Sequence, residues 1–156
     1  MLALAQALRD AGLRLATAES CTGGLIAAAC TAVAGSSDWF ERGFVTYSNE
    51  AKTEAIGVDP TLIAAHGAVS EEVALAMARG ALAHSHAQLA VAVTGIAGPG
   101  GATPGKPVGT VWIALARRGG AAQAELLRLR GDRAAIREQT VERALTRLLA
   151  FAAGPH

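Results

Sequence analysis

Aromatic residues and an excess of charge of either sign are scarce in this sequence. Only 4% of its 156 residues are Phe, Trp or Tyr, and 14 basic side chains nearly balance 13 acidic ones, which leaves a formal net charge of +1. Proteins that bind a nucleic acid chain need a broad basic field and often aromatic side chains on which bases stack. The composition therefore argues against a nucleic-acid partner and favours a small ligand bound by a few local charges.

Cysteine, metal-ligand clusters and long apolar runs are also lacking. The two cysteines, Cys21 and Cys30, are too few for a disulfide framework or a four-cysteine zinc site, and His84-Ser85-His86 has no clear third ligand. No apolar stretch reaches the roughly 18 to 20 residues of a membrane span, and the first residues carry no basic leader. We therefore expect no metal, no membrane partner and a cytoplasmic location in which both thiols stay reduced.

Helix and strand patterns alternate along the chain. With 51% hydrophobic residues and this length, we expect one domain over residues 1–156 with a full core. Alternating strands and helices with one hairpin predict an α/β sandwich around a mixed sheet. The periodicity and the turn residues place helices at 2–11, 23–34, 49–56, from Asp59-Pro60, 70–83 and 133–152, and strands at 13–18, 43–47, 89–94, 108–116 and 122–129.

The first candidate site is Thr17-Ala-Glu-Ser-Cys-Thr-Gly-Gly24, at a predicted strand-to-helix junction. Free backbone N–H groups and the helix dipole at such a junction favour an anion or a developing oxyanion, and the two glycines permit close approach to the backbone. Ser20 and Cys21 are both possible nucleophiles, since a thiol near a helix N-terminus has a lowered pKa. The alternative is that Ser20 or Thr22 only caps the helix.

The second candidate is Thr94-Gly-Ile-Ala-Gly-Pro-Gly-Gly101, after the apolar strand 89–94. Ligands of open α/β sheets bind outside the carboxyl ends of strands, so glycines at this place suggest phosphate or nucleotide contact. The loop is no Walker A motif, because Gly105-Lys106 precedes Pro107, and it lacks the dinucleotide spacing. The glycine pattern alone is equally consistent with a flexible loop that binds nothing.

Between these segments lies Lys52, with the chain's single tyrosine, Tyr47, five residues before it. A lysine at such a turn is usually a solvated surface residue. If it is desolvated in a pocket, it loses its proton near neutral pH and can activate a serine without His or Asp. Tyr47 would then orient the pair or relay its proton.

Taken together, these segments resemble the CinA C-terminal domain family, and the likeness covers nearly the whole chain in order. The residues that carry it are Glu19-Ser20-Cys21-Thr22-Gly23-Gly24, Tyr47-Ser48-Asn49 with Lys52, Gly67-Ala68-Val69-Ser70, Thr94 to Gly101 and Lys106-Pro107-Val108-Gly109-Thr110-Val111. The resemblance implies a three-layer α/β/α sandwich around a mixed, mostly parallel sheet of about five strands in a single domain.

The family includes nicotinamide-nucleotide amidohydrolases, so the resemblance implies a hydrolase of pyridine nucleotide recycling. It would convert nicotinamide mononucleotide and water into nicotinate mononucleotide and ammonia, with Ser20 as nucleophile, Lys52 as general base, Tyr47 assisting and no cofactor. The candidate ligands of the substrate phosphate are Arg130 and Arg133, which rank first, and then Arg42 and Arg137. The candidates for the oxyanion hole and for substrate binding are Cys21, Thr22, Gly23, Gly24, Thr94, Gly95, Gly98 and Gly100.

Two further expectations follow from the resemblance. Relatives form oligomers, so we expect a homo-oligomer. Many members carry an additional N-terminal domain, and because this chain begins about 20 residues before Ser20 we expect one activity rather than two. The family's association with competence and DNA damage keeps a second class of function open, namely a protein-interaction or nucleotide-binding module without turnover.

Overall fold

Five strands form one mixed sheet in the computed structural model, which describes residues 1–155; His156, the last residue of the predicted domain, lies outside them. The spatial order is β2-β1-β3-β4-β5. β1 is parallel to both of its neighbours, whereas β4 is antiparallel to both, so four strands share one direction and the predicted mixed sheet is confirmed. The strands are β1 (Leu15–Glu19), β2 (Phe40–Val45), β3 (Leu89–Gly95), β4 (Thr110–Arg117) and β5 (Ala122–Arg128).

Helices cover both faces of this sheet, which gives the predicted three layers. They are α1 (Leu2–Ala11), α2 (Leu25–Thr31), α3 (Asn49–Ile56), α4 (Pro60–His66), α5 (Glu71–Ala83) and α6 (Arg133–Ala152), with a short 3-10 turn at Ser36–Asp38. The predicted start signals are confirmed, since the side chains of Asp59, Ser70 and Asp132 each accept a backbone N–H of the helix that follows. No helix among residues 1–155 is long and apolar enough to cross a lipid bilayer.

Several predicted elements have other bounds in the structure, and α2 and β2 differ most. α2 begins at Leu25 rather than at residue 23, because the two preceding glycines have φ of 59° and 108°, outside the helical range. β2 begins at Phe40, three residues before the predicted start. Glu41 and Arg42 obscure the pattern there, because an edge strand tolerates polar and charged residues that a central strand does not.

Side-chain size differs between the two faces of the sheet. In β3, Val91 and Val93 face the core formed with α1, α2 and α6, whereas Ala90 and Ala92 face the core formed with α5. Small side chains on the second face let α5 lie close to the sheet. All four side chains are fully buried, so β3 is the central strand that its unbroken apolar run predicts.

Parallel pairing brings three loops to one edge of the sheet. Glu19, at the end of β1, lies opposite Val45 of β2 and Val93 of β3. The residues that follow these three strands therefore leave the sheet side by side. They contain Ser20, Tyr47 and the loop that begins at Ile96.

Candidate active site

Ser20 and Lys52 meet at this edge of the sheet. Ser20 directly follows β1, and Lys52 lies in the first half of α3, which Ser48 caps by accepting the N–H of Ala51. The Lys52 Nζ atom is 3.2 Å from Ser20 Oγ and 3.0 Å from the carbonyl oxygen of Tyr47. Lys52 is 1% exposed, so its amine is not the solvated surface group that an isolated lysine usually is.

The surroundings of Lys52 favour the neutral amine. None of the ion pairs among residues 1–155 involves it, and burial lowers its pKa, against the opposite influence of Cys21 and Glu50. A neutral amine has two N–H bonds and one lone pair. Nζ is placed to donate to the carbonyls of Tyr47 and, more weakly at 3.5 Å, Ser48, and to Ser20 Oγ; once the amine is neutral, its lone pair can instead accept from the Ser20 hydroxyl.

Tyr47 contributes its backbone to this arrangement. Its carbonyl oxygen accepts from Lys52 Nζ and lies 3.4 Å from Ser20 Oγ, whereas its side chain is 60% exposed at the rim of the site. The phenol makes no hydrogen bond within the part of the chain that the structure describes. Because Nζ reaches Oγ directly, proton transfer between them needs no relay, and an assisting role of the phenol stays a prediction.

Residues 20–24, called here the Ser20 loop, form a tight turn before α2. The Gly23 N–H donates to the Ser20 carbonyl at 3.1 Å, and positive φ at both glycines completes the turn. The amides of Cys21 and Thr22 donate to no other residue among 1–155. Thr22 is fully buried, so of these two N–H groups only that of Cys21, which lines the cavity described below, is available to an oxyanion formed beside Ser20.

A residue that sequence reasoning missed, Glu19, occupies the N-terminus of α2. Its carboxylate is 1% exposed and accepts the N–H groups of Ile26 at 2.8 Å and Ala27 at 3.1 Å, together with the Thr22 hydroxyl at 2.6 Å. Two expectations are thus wrong. Glu19, rather than Ser20 or Thr22, caps the helix, and the helix dipole is occupied by an internal anion instead of facing a ligand.

Cys21 is a poor alternative nucleophile in this environment. Its side chain is 6% exposed, and burial raises the pKa of its thiol to about 11, the opposite of the lowered value expected from its place before a helix. Cys30 lies within α2 with a pKa raised by burial to about 12. Since the thiolate is the reactive form, the choice between Ser20 and Cys21 that the sequence left open favours Ser20.

A cavity of about 270 Å³ opens in front of Ser20 and Lys52. Among the predicted site residues it includes Ser20, Cys21, Tyr47, Lys52, Thr94, Gly95, Gly98, Gly100 and Arg133, whereas Thr22, Gly23, Gly24 and Arg130 are not part of its lining. Ile96, Ala97 and Gly101 also line it and belong to the predicted second candidate segment, whereas Asn49, Ala68 and Val69 had not been assigned to the site from sequence. Asn49 and Val69 stand in the motifs that carry the family resemblance, so that signal was present.

The glycine-rich loop is hydrogen-bonded to the sheet, which excludes the alternative of a flexible connecting loop. Ile96 N–H donates to the Thr110 carbonyl at 2.9 Å, and Thr94 Oγ1 donates to the Ala68 carbonyl at 2.9 Å. A Cβ atom at Gly95 would lie 2.6 Å from Val111, and one at Gly98 would lie 2.5 Å from Val108. These two glycines therefore permit close packing inside the protein, while the loop from Gly95 to Gly101 contributes to the lining of the cavity.

The candidate arginines have different surroundings. Arg133 lines the cavity and donates to the Gly98 carbonyl at 3.0 Å, whereas Arg130 is exposed outside it. Arg137 donates to the backbone of the Ser20 loop, and Arg42 pairs with Glu41 within β2. Of the two arginines ranked first from sequence, the structure brings only Arg133 to the cavity.

His84 and His86 make local contacts. His84 Nδ1 lies 2.9 Å from the Gly80 carbonyl, and the backbone of His86 donates to Glu41. Among residues 1–155, no three side chains of the metal-binding types lie together.

Comparisons with known proteins agree on one family. The model of the CinA C-terminal domain matches residues 1–152. The nicotinamide-nucleotide amidohydrolase PncC of Escherichia coli K12 is 53% identical over 143 residues, which are 92% of this chain and 87% of that protein. The crystal structure of competence damage-inducible protein A from Klebsiella pneumoniae superposes with a TM-score of 0.95 at 40% identity, over 99% of this chain and 96% of that one.

Longer relatives match equally well. A CinA-like protein of Akkermansia muciniphila is 55% identical over 142 residues, which are 91% of this chain but 34% of that protein. The chain therefore spans about a third of the length of this relative and most of the length of the Escherichia coli enzyme.

Proposed function

The chain belongs to the CinA C-terminal domain family, and we propose that it is a nicotinamide-nucleotide amidohydrolase that releases ammonia from nicotinamide mononucleotide. Its 53% identity to PncC of Escherichia coli supports the substrate. The observation that carries the proposal is the 3.2 Å contact between Lys52 Nζ and Ser20 Oγ, made by a buried amine with no carboxylate partner in the described chain. This contact favours turnover over a nucleotide-binding module without catalysis.

The proposed reaction uses Ser20 as nucleophile and Lys52 as the group that moves protons. Neutral Lys52 takes the Ser20 proton as Oγ attacks the carboxamide carbon, and the amide of Cys21 receives the oxyanion. As the tetrahedral intermediate collapses, Lys52 returns the proton to the departing nitrogen, so ammonia leaves and a nicotinoyl ester remains on Ser20. Water, deprotonated by Lys52, then attacks the ester and restores the serine hydroxyl.

The cavity suits the remainder of this substrate. Val69, Ile96 and Ala97 give its walls an apolar surface for a pyridine ring. Arg133 stands in the lining and uses one guanidinium nitrogen on the Gly98 carbonyl, which leaves further N–H groups for an anion. We propose that Arg133, with the exposed end of the glycine-rich loop, binds the phosphate.

We carry forward three further proposals from the sequence analysis. They are a single domain over residues 1–156, a cytoplasmic location and a homo-oligomeric state. Light scattering on the purified protein would test the oligomeric state.

Ammonia release from nicotinamide mononucleotide tests the function. Ser20→Ala and Lys52→Met should abolish turnover, and Ser20→Ala at wild-type activity would refute the assignment. Arg133→Gln should raise KM for the mononucleotide and leave KM for nicotinamide riboside, which has no phosphate, unchanged. Comparison with Arg130→Gln, on the same turn but outside the cavity, decides which arginine binds phosphate.

A further inference from the structure

Arg137 reaches from α6 to the Ser20 loop, 116 residues away along the chain. Its Nε donates to the Cys21 carbonyl at 3.1 Å and its Nη2 to the Thr22 carbonyl at 3.3 Å. The side chain is half-buried, and none of the ion pairs among the described residues includes it. The guanidinium is therefore directed at two neighbouring backbone carbonyls rather than at a carboxylate.

The Ser20 loop is held between two opposite charges. On the inner side, the buried Glu19 carboxylate accepts the first N–H groups of α2 and the Thr22 hydroxyl. On the outer side, Arg137 holds the carbonyls. Because Glu19 consumes the anion-binding capacity of the helix end, an oxyanion formed at Ser20 has only the amides of the loop itself.

Peptide geometry limits what the bond to the Cys21 carbonyl can do. The N–H of the same peptide is that of Thr22, which is fully buried and outside the cavity lining, so this bond fixes the loop rather than an oxyanion donor. A charge-assisted bond to a carbonyl also polarises the peptide and strengthens its N–H as a donor.

The Cys21 amide, which belongs to a residue of the cavity lining, is connected to Arg137 through one further bond. The Thr22 carbonyl shares its peptide with the Gly23 N–H, which donates to the Ser20 carbonyl at 3.1 Å. The Ser20 carbonyl in turn shares its peptide with the Cys21 N–H. The Cys21 amide thus lies at the end of a short hydrogen-bond chain that begins at Arg137.

We propose that Arg137 is a positioning residue that holds the Ser20 loop and, through it, orients and polarises the Cys21 amide for the oxyanion. The proposal rests on the proposed function to the extent that an oxyanion forms only when Ser20 attacks an acyl or phosphoryl centre. It assigns to Arg137 a transition-state effect and no contact with the substrate phosphate.

The test compares Arg137→Gln and Arg137→Lys with Arg143→Gln, a matched control on the exposed side of the same helix. For Arg137→Gln, kcat on nicotinamide mononucleotide should fall about 10- to 100-fold, less than the roughly 100- to 1000-fold cost of losing an oxyanion donor outright, with KM unchanged. Arg137→Lys keeps the charge without the two-pronged donor and should give an intermediate loss. The control should match the wild type.

A second readout does not depend on the substrate. A fluorophosphonate labels an active serine when Oγ attacks phosphorus, fluoride leaves and the base takes the proton, so its P=O group uses the same donor. Labelling of Ser20 should slow by the same factor as kcat, while the acid limb of the pH profile, which Lys52 sets, stays in place. A change confined to thermal stability would indicate a purely structural tie and overturn the proposal.

The remaining outcomes are equally decisive. A raised KM with unchanged kcat would make Arg137 a substrate ligand, and wild-type kinetics would remove its role altogether. If Arg137→Gln does not fold, the comparison of Arg137→Lys with the wild type carries the test. If the wild type is labelled at Ser20 but releases no ammonia, the proposed substrate fails while the labelling comparison still judges Arg137.

Discussion

Replacing Lys52 by Met removes an amine that is 1% exposed and substitutes an apolar side chain of similar length. The variant loses the general base, so ammonia release should disappear. It also removes a titrating group whose pKa burial lowers from its ordinary value of 10.5. The same change therefore reports on chemistry and on stability.

The sign of the stability effect follows from proton binding. Between the lowered pKa of folded Lys52 and 10.5, the unfolded chain binds more protons than the folded one, so the wild type gains stability as the pH rises through this window. Relative to Lys52→Met, the gain is at most about 1.4 kcal/mol for each pH unit. Loss of the hydrogen bond to Tyr47 destabilises the variant by about 1 to 3 kcal/mol, but this contribution to the free energy of unfolding changes little with pH.

Urea unfolding of both proteins at a series of pH values from neutral to 10.5 measures the difference. The free energy of unfolding of the wild type minus that of Lys52→Met should rise with pH, and kcat/KM of the wild type should rise as the pH passes through the lowered pKa of folded Lys52 and then level off. Lys106→Met controls for loss of a lysine at the surface beside His66. A difference that is constant or falls with pH, or the same course in the control, would refute the assignment of a neutral buried base.

Three further outcomes follow from single contacts. Because burial raises the pKa of the Cys21 thiol to about 11, iodoacetamide at neutral pH should leave it unmodified and Cys21→Ala should still release ammonia; loss of turnover would reopen the thiol mechanism. Glu19→Gln keeps one oxygen but places an amide N–H₂ against a backbone N–H that can only donate, so urea unfolding should show a loss of about 1 to 3 kcal/mol, and unchanged stability would contradict the cap. Gly80→Ala lies inside α5, where helix propensity alone predicts a gain of about 0.5 to 1 kcal/mol. Its Cβ would lie 2.1 Å from the Ile56 carbonyl oxygen, so the melting temperature should fall. A higher melting temperature would show that α3 moves away at little energetic cost.

Local signals predicted most of the fold. The Asp59 and Ser70 caps, the apolar run of β3 and the glycine turn between β4 and β5 act over a few residues, and the structure confirms each of them. The predicted start of β2 lies three residues too far along the chain, because an edge strand does not need apolar residues at every position. Family resemblance, rather than periodicity, supplied the order of layers that the sheet topology then confirmed.

The candidate site was only partly predictable. Residue type singled out Ser20 and Lys52, because a hydroxyl and an amine are the groups that this chemistry needs. The role of Glu19 was missed, since a carboxylate at the end of a strand becomes a helix cap only when the following loop folds back over it. The thiol of Cys21 was expected to be activated, and burial reverses that expectation.

The sequence by itself determined which chemical groups are present, where the helices and strands run and to which family the chain belongs. The tertiary structure decided their distances and their charge states. Parallel pairing of β1 with β2 and β3 brings Lys52 Nζ within 3.2 Å of Ser20 Oγ, and burial between those elements lowers its pKa. Arg137 joins the same loop from 116 residues away. Proximity and desolvation depend on the packing of segments distant in sequence, and no local pattern encodes them.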